Sequence, residues 1–234
     1  MKIGQKLAAA AVAAMIQAAP VAAQDGMTAA QARCELHVWP TENYVGINPG
    51  WLSGGIVEEI AALEEPGRAR TVRDVMRDYL GPDVQMEVLT RLGLTEALQL
   101  RDYAIVVHEP EPLDQDLEYD PDLKARARAI NARFEAKLRL SASTHPCYAE
   151  LITTHIFYFK AIGFGSNLVT GWSYREFGDR QRATRVVTGQ ARNPLELFPP
   201  ETVHDVEAAK AELVDAFEKD FREYVRKKVR PGVR

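Results

Sequence analysis

The alternation of apolar and polar residues predicts a series of consecutive β-strands in the second half of the chain. Phe134–Ser143 alternates at nearly every step, which would place one side of a strand in a core. Three further segments are rich in the β-branched and aromatic residues that suit a pleated sheet, namely Cys147–Ile162, Leu168–Phe177 and Ala183–Thr188. Because short turns containing Gly or Pro separate these segments, the pattern predicts a four-stranded antiparallel meander.

Before the meander, the pattern predicts two more strands and several helices. Cys34–Trp39 alternates as a strand does and ends at Pro40, and the short apolar run Tyr103–His108 predicts a strand buried on both faces. Spacing, capping residues and stop residues predict helices in four other segments, which are Ile56–Leu63, Thr71–Leu80, Asp83–Leu92 and Asp122–Ala132.

The most regular helical pattern lies near the C-terminus and is expected to begin at Pro200–Thr202. Its apolar residues recur every three to four positions and are Val203, Val206, Leu213, Phe217, Phe221 and Tyr224. Acids open this stretch and basic residues close it, as suits a helix dipole. A helix this amphipathic needs an apolar partner, so we expect Phe217 and Phe221 to insert together into the apolar face of the meander.

These elements predict an α+β fold. An antiparallel meander of about five to six strands would carry helices mainly on one face, and a long C-terminal helix would close the domain. We assign residues 34–230 to this single domain. The order of elements is similar to that of small periplasmic accessory domains of cell-envelope assembly machines. That similarity concerns the order of elements alone, and no function can be inferred from it.

Residues 1–23 have the organisation of a cleaved signal peptide. A basic start precedes the apolar run Leu7–Ile16, and the small residues Val21–Ala23 follow at the expected cleavage site. The apolar run is too short for a stable membrane anchor. We therefore expect a periplasmic or secreted protein with no transmembrane segment, in which residues 24–33 form a flexible lead-in.

Export changes how the cysteines and the net charge are interpreted. An oxidising compartment permits a disulfide between Cys34 and Cys147, and the alternative is two buried free thiols. The net charge of −4 argues against a general nucleic-acid surface, which would need clustered positive charge.

The loop Thr41–Gly55 carries several apolar side chains. Such a loop is either packed down as a cover or used for contact with a partner. Its residues Tyr44, Trp51 and Leu52, with Trp172 from the aromatic-rich meander, are the candidate interaction residues.

No motif in the sequence establishes a catalytic or metal site. None of the five histidines is paired at the helical spacing His-x-x-x-His, and we predict neither a metal nor a cofactor. The alternating acids Asp114, Asp116 and Glu118 lack the glycine and the final glutamate of a calcium loop. The chain also lacks Gly-x-Ser-x-Gly, a P-loop and a dinucleotide fingerprint.

The leading hypothesis is an exported, non-catalytic cell-envelope protein that binds another envelope protein as an accessory or assembly module. The alternative is a small periplasmic enzyme of hydrolase type, or a small-ligand-binding protein. It would use His155, Glu150 or Ser53 in a cleft beside the sheet. A cleft that joins two of these groups would favour the alternative.

Overall fold

A computed structural model describes residues 33–47, 71–112, 120–161 and 165–232. Several sequence predictions concern residues outside these ranges. They are the signal peptide, the lead-in as far as residue 32, the helix Ile56–Leu63, the acidic segment Asp114–Glu118, and the residues Trp51, Leu52 and Ser53.

The described residues form a mixed six-stranded sheet. Its strands are β1 (Cys34–Trp39), β2 (Tyr44–Ile47), β3 (Tyr103–Val107), β4 (Tyr148–Ala161), β5 (Gly165–Gly178) and β6 (Arg185–Leu195). They lie in the order β3–β1–β4–β5–β6, and β2 also pairs with β4. β1 runs parallel to both β3 and β4, and β2 runs parallel to β4. Only β4, β5 and β6 form an antiparallel meander.

The prediction of a wholly antiparallel sheet was therefore wrong, although the α+β class is confirmed. Strands joined by a tight turn run antiparallel, whereas strands joined through helices can run parallel. Helices α1 (Val72–Tyr79), α2 (Pro82–Arg91) and α3 (Leu94–Ala97) connect β2 to β3, and helix α4 (Pro121–Glu135) lies between β3 and β4.

The predicted strand Phe134–Ser143 is not present. Helix α4 continues to Glu135, and an irregular segment then lies across the sheet. In this segment Leu138 is 36% exposed and Arg139 is 1% exposed, so burial at these two positions is the reverse of what the alternation predicts. The physical reason is that Arg139 donates hydrogen bonds to three backbone carbonyls, those of Ser143, Gly178 and Arg180.

Helices α1, α2 and α5 (Val206–Tyr224) share one hydrophobic core with the sheet. Thr71 caps α1 reciprocally with Asp74, and Pro82 opens α2. Strand β3 lies at the sheet edge and leaves Val107 55% exposed, so the expectation that this strand is buried on both faces was wrong.

Helix α5 docks as the sequence predicts. The rings of Phe217 and Phe221 have no exposed surface, and their centroids lie 5.8 and 5.7 Å from that of Trp172 on β5. The helix begins at Val206 rather than near Pro200, and Val203 is exposed because it precedes the helix. After Tyr224 the helix continues as a π-helical segment, Val225–Val229.

The predicted disulfide between Cys34 and Cys147 is present, with the two Cα atoms 4.7 Å apart. It joins the starts of β1 and β4, where Glu35 N–H also donates to the Cys147 carbonyl. Within the described ranges, no helix combines the length and the apolar character needed to cross a membrane.

Candidate binding surface

Strand β6 forms one edge of the described sheet, and its backbone orientation follows from the hydroxyl of Tyr224. Tyr174 N–H on β5 donates to this hydroxyl at 3.0 Å, and the hydroxyl donates to the Val187 carbonyl on β6 at 2.7 Å. Tyr174 and Val187 are paired in register, so their backbone polar groups face each other. The direction of the backbone polar groups alternates from one residue of a strand to the next. The N–H and C=O groups of the residues on either side of Val187, and of every second residue beyond them, therefore face away from β5.

These outward-facing residues are Val186, Thr188, Gln190 and Arg192. All four side chains are exposed. Within the described part of the chain, no backbone hydrogen bond other than the β5–β6 ladder involves their N–H or C=O groups. We call these four residues the open edge. An unpaired strand edge of this kind is a ready template for another strand.

A groove lies on the sheet beside the open edge. Its cavity volume is about 590 Å³, and its lining includes His155, Phe157, Phe159, Val169, Gln190 and Arg192. The rings of Phe157 and Phe159 are stacked with centroids 6.2 Å apart, and both are half-buried. Half-exposed aromatic rings next to polar groups are typical of surfaces that contact other proteins.

Gly171 allows His155 to lie close to the sheet in this groove. A Cβ atom at Gly171 would lie 2.3 Å from Cε1 of His155, so no other residue fits without displacing the ring. Burial lowers the pKa of His155, although a hydrogen bond with Gln190 opposes that shift. The lowered pKa favours the neutral form of the imidazole, which lies in the groove between the aromatic rings and the side chain of Gln190.

Two cations beside the open edge have no ionic partner within the described ranges, whereas two nearby acids are paired. The acids Glu176 and Glu223 are each paired, at 2.8 Å with Arg185 and at 2.6 Å with Lys227. Arg192 and Lys228 form no ion pair with any residue that the structure describes. The stem of Lys228 lies over Gly189 on the helix side of β6. Arg192 lies on the opposite side, in the groove.

The predicted candidates for catalysis do not meet in one cleft. Glu150 has no exposed surface, and its Oε1 accepts hydrogen bonds from Tyr148 Oη and Leu140 N–H, both at 2.6 Å. Arg175 Nε lies 3.4 Å from the other carboxylate oxygen, and Arg175 also donates to the Leu138 carbonyl. Burial raises the pKa of Glu150. This carboxylate fixes the irregular segment to the sheet, and the groove that contains His155 does not reach it.

A chain of hydrogen-bonded groups on the same face as Glu150 was not predicted. Ser143 Oγ donates to Glu35 Oε2 at 2.6 Å, and the same oxygen lies 2.9 Å from His37 Nε2. His37 Nδ1 lies 2.6 Å from His108 Nε2. The indole of Trp39 stacks on His108 with a centroid distance of 4.1 Å. The serine contacts the acid rather than an imidazole, so this is not the arrangement of a nucleophilic triad.

Burial changes the pKa values of the ionisable side chains in this chain of groups. It lowers the pKa of both His37 and His108. Burial would raise the pKa of Glu35, but hydrogen bonds from His37 and Ser143 bring it below its usual value. The spacing along the sequence could not indicate this site, because the parallel pairing of β1 with β3 brings the two histidines together.

The candidate interaction residues that the structure describes lie in the core. Tyr44 is 2% exposed and its hydroxyl donates to the Leu80 carbonyl. Trp172 is fully buried beneath α5. Their predicted contact with a partner stays a prediction. The groove aromatics Phe157 and Phe159 were not singled out, although both lie in the segment predicted as a strand.

The described residues contain no group of three His, Cys, Asp or Glu side chains arranged to hold a metal ion. No protein-family model matches the chain, and no curated protein matches it either.

Proposed function

We propose that this is an exported cell-envelope protein that binds another protein, without catalysis, through the open edge of β6 and the adjoining groove. The observation that carries the proposal is the open edge, whose outward backbone groups have no partner in the described part of the chain and lie next to the half-buried Phe157 and Phe159. Strand edges and aromatic patches are both recurrent protein-recognition surfaces.

The disulfide supports the export part of the proposal. Disulfides persist in oxidising compartments and are rare in the cytosol. The Cys34–Cys147 bond therefore fits the expected signal peptide. N-terminal sequencing of the exported protein should give Gln24 as the first residue, and an intact Met1 would contradict export by this route.

Site-specific photo-cross-linking in cells tests the binding surface. A photoreactive phenylalanine in place of Gln190, which is exposed in the groove, should form an adduct with a discrete envelope protein. The matched control places the same group at Arg73, which is exposed on helix α1. Adding Phe159→Ala to the Gln190 variant should lower the yield of the adduct. Identical adducts at both positions, or none at Gln190, would argue against the proposal.

The alternative function, a small-ligand-binding protein, is favoured by one observation. A volume of about 590 Å³ falls in the range of small-molecule sites, about 300–1,000 Å³. A ligand of this kind should raise the melting temperature of the wild-type protein but not that of Phe159→Ala. The cross-linking experiment distinguishes the two functions, because binding of a small ligand gives no protein adduct at Gln190.

A further inference from the structure

We infer that the partner supplies an extended, acidic segment that pairs with β6 as an additional strand of the sheet. This inference rests on the proposed protein-binding function and names the chemistry of the partner.

The backbone of the open edge presents a regular row of donors and acceptors. Val186, Thr188, Gln190 and Arg192 each turn one N–H and one C=O away from β5. From Val186 to Arg192 the row spans about 20 Å, which matches a segment of about seven residues. Pro194 has no N–H to offer and marks one end of the row.

Natural edge strands are usually protected by a charge, a proline, a bulge or a covering element. Pro194 occurs only near the end of β6. Helix α5 and the π-helical segment contact β6 from one side of the sheet, where Lys228 lies over Gly189. The described chain leaves the hydrogen-bonding row itself without a partner.

The charges around the row select an acidic partner. Arg192 lies on the groove side and Lys228 on the helix side, and neither has an ionic partner in the described ranges. The nearby acids Glu176 and Glu223 are already paired. A second copy of β6 would bring the same cationic edge against itself, which like-charge repulsion disfavours. An acidic strand places carboxylates beside both cations.

Synthetic peptides provide the probe. The first is an extended peptide of about nine residues that contains Thr, Val and Glu. The second replaces each Glu with Lys, and the third keeps Glu but carries a methyl group on every backbone nitrogen. The acidic peptide should bind, and the other two should bind about tenfold more weakly or not at all, because they lose charge complementarity or N–H donors.

Variants and amide exchange locate the binding site. Arg192→Glu should weaken binding of the acidic peptide by about threefold or more, and Arg73→Glu on α1 should leave it unchanged. In the complex, hydrogen exchange should slow at the outward-facing amides of Thr188 and Gln190 by about tenfold. The inward-facing amides of Val187 and Gly189 should change much less.

Three results would overturn the inference. They are no binding of the acidic peptide up to about 1 mM, equal binding of the Lys peptide, and binding without slower exchange at Thr188 and Gln190. If the protein adduct at Gln190 persists in any of these cases, the proposed protein-binding function stands and only the inference of an acidic, strand-pairing partner fails. Loss of that adduct removes the proposed function itself.

Discussion

The hydroxyl of Tyr224 on helix α5 donates a hydrogen bond to the backbone carbonyl of Val187 on strand β6 at 2.7 Å. The same hydroxyl accepts the Tyr174 N–H at 3.0 Å and so replaces one direct bond of the β5–β6 ladder. The closing helix is therefore hydrogen-bonded into the strand that forms the open edge. Any shift of that part of β6 must move the Tyr224 side chain or break this bond.

Tyr224→Phe should destabilise the protein by about 1–3 kcal/mol. The substitution leaves the buried Tyr174 N–H and the partly buried Val187 C=O without their shared partner, and unsatisfied buried groups are costly. Chemical denaturation monitored by fluorescence measures the change. An unchanged free energy of unfolding would mean that β5 and β6 close the gap directly when the hydroxyl is absent.

Phe221→Ala should destabilise the protein by about 3–5 kcal/mol, because it removes a fully buried ring and leaves a cavity next to Trp172. Lys219→Ala is the matched control on the exposed side of the same helix, where Lys219 pairs with Asp215. Thermal melting of both variants tests the difference. Equal shifts in melting temperature would contradict the docking of α5 described above.

Removal of the disulfide by Cys34→Ala together with Cys147→Ala should lower the free energy of unfolding by about 2–5 kcal/mol. The bond links residues 113 positions apart, so it restricts a large part of the unfolded chain. In the wild-type protein both thiols should resist alkylation until a reductant is added. Two freely alkylated thiols in the native exported protein would show that the bond does not form.

Asp220 should make stability fall as the pH rises toward neutrality. Burial raises the pKa of this carboxyl from 3.8 to about 7, although hydrogen bonds from Asn193 and Thr170 oppose the shift. The folded state therefore holds its proton after the unfolded state has lost it. The stability that this bound proton contributes is fully present below about pH 4 and is lost as the pH rises to about 7.

Asp220→Asn removes the titration and retains both partners, because the amide Oδ1 accepts from Asn193 Nδ2 while the amide Nδ2 donates to Thr170 Oγ1, which reverses that one hydrogen bond. The variant should match the wild type near pH 4 and exceed it by about 2–4 kcal/mol above pH 7. Urea denaturation of both proteins across this range provides the comparison. A constant difference between the two proteins at every pH would exclude Asp220 as the titrating group.

The His37–His108 pair should make stability fall as the pH decreases, which is opposite to the pH dependence expected from Asp220. Burial lowers the pKa of both imidazoles from 6.5, so the folded state binds protons less readily than the unfolded state. Stability from this pair is present above about pH 6.5 and is lost as the pH falls below it. Glu35 favours a charge on His37, while Arg139 and His145 oppose it, and Glu111 favours a charge on His108.

Two-dimensional NMR of the imidazole groups measures these titrations directly. Both midpoints should lie below 6.5, and His108→Gln should reduce the loss of stability between pH 6.5 and pH 5. Midpoints at or above 6.5 for the pair would contradict the effect of burial.

Local patterns in the sequence predicted those parts of the fold that depend on local periodicity. Helices α1, α2 and α5 and strands β1, β4 and β5 lie close to their expected ranges. The short β2 within the predicted loop and the parallel pairing of β1 were missed, because both depend on how the chain crosses over between strands. Alternation failed at Leu138 and Arg139, where three hydrogen bonds to carbonyls outweighed the preference of leucine for the core.

The candidate surface was less predictable than the fold. The predicted strand Ala183–Thr188 ended before Gln190 and Arg192. The structure extends β6 to Leu195, and the open edge appears only when the order of strands is known. Edge position is a property of the whole sheet, so no local pattern could have predicted it.

The disulfide also divides the molecule topologically. It closes residues 34–147 into a covalent ring that contains β1, β2, β3 and helices α1–α4. The groove, the open edge and helix α5 all belong to an arm that leaves this ring at Cys147. One cut of the backbone inside the ring leaves a single molecule until the disulfide is reduced. One cut in the arm severs the covalent link between the ring and everything beyond the cut, so a protease can detach the binding surface only by cleaving the arm itself.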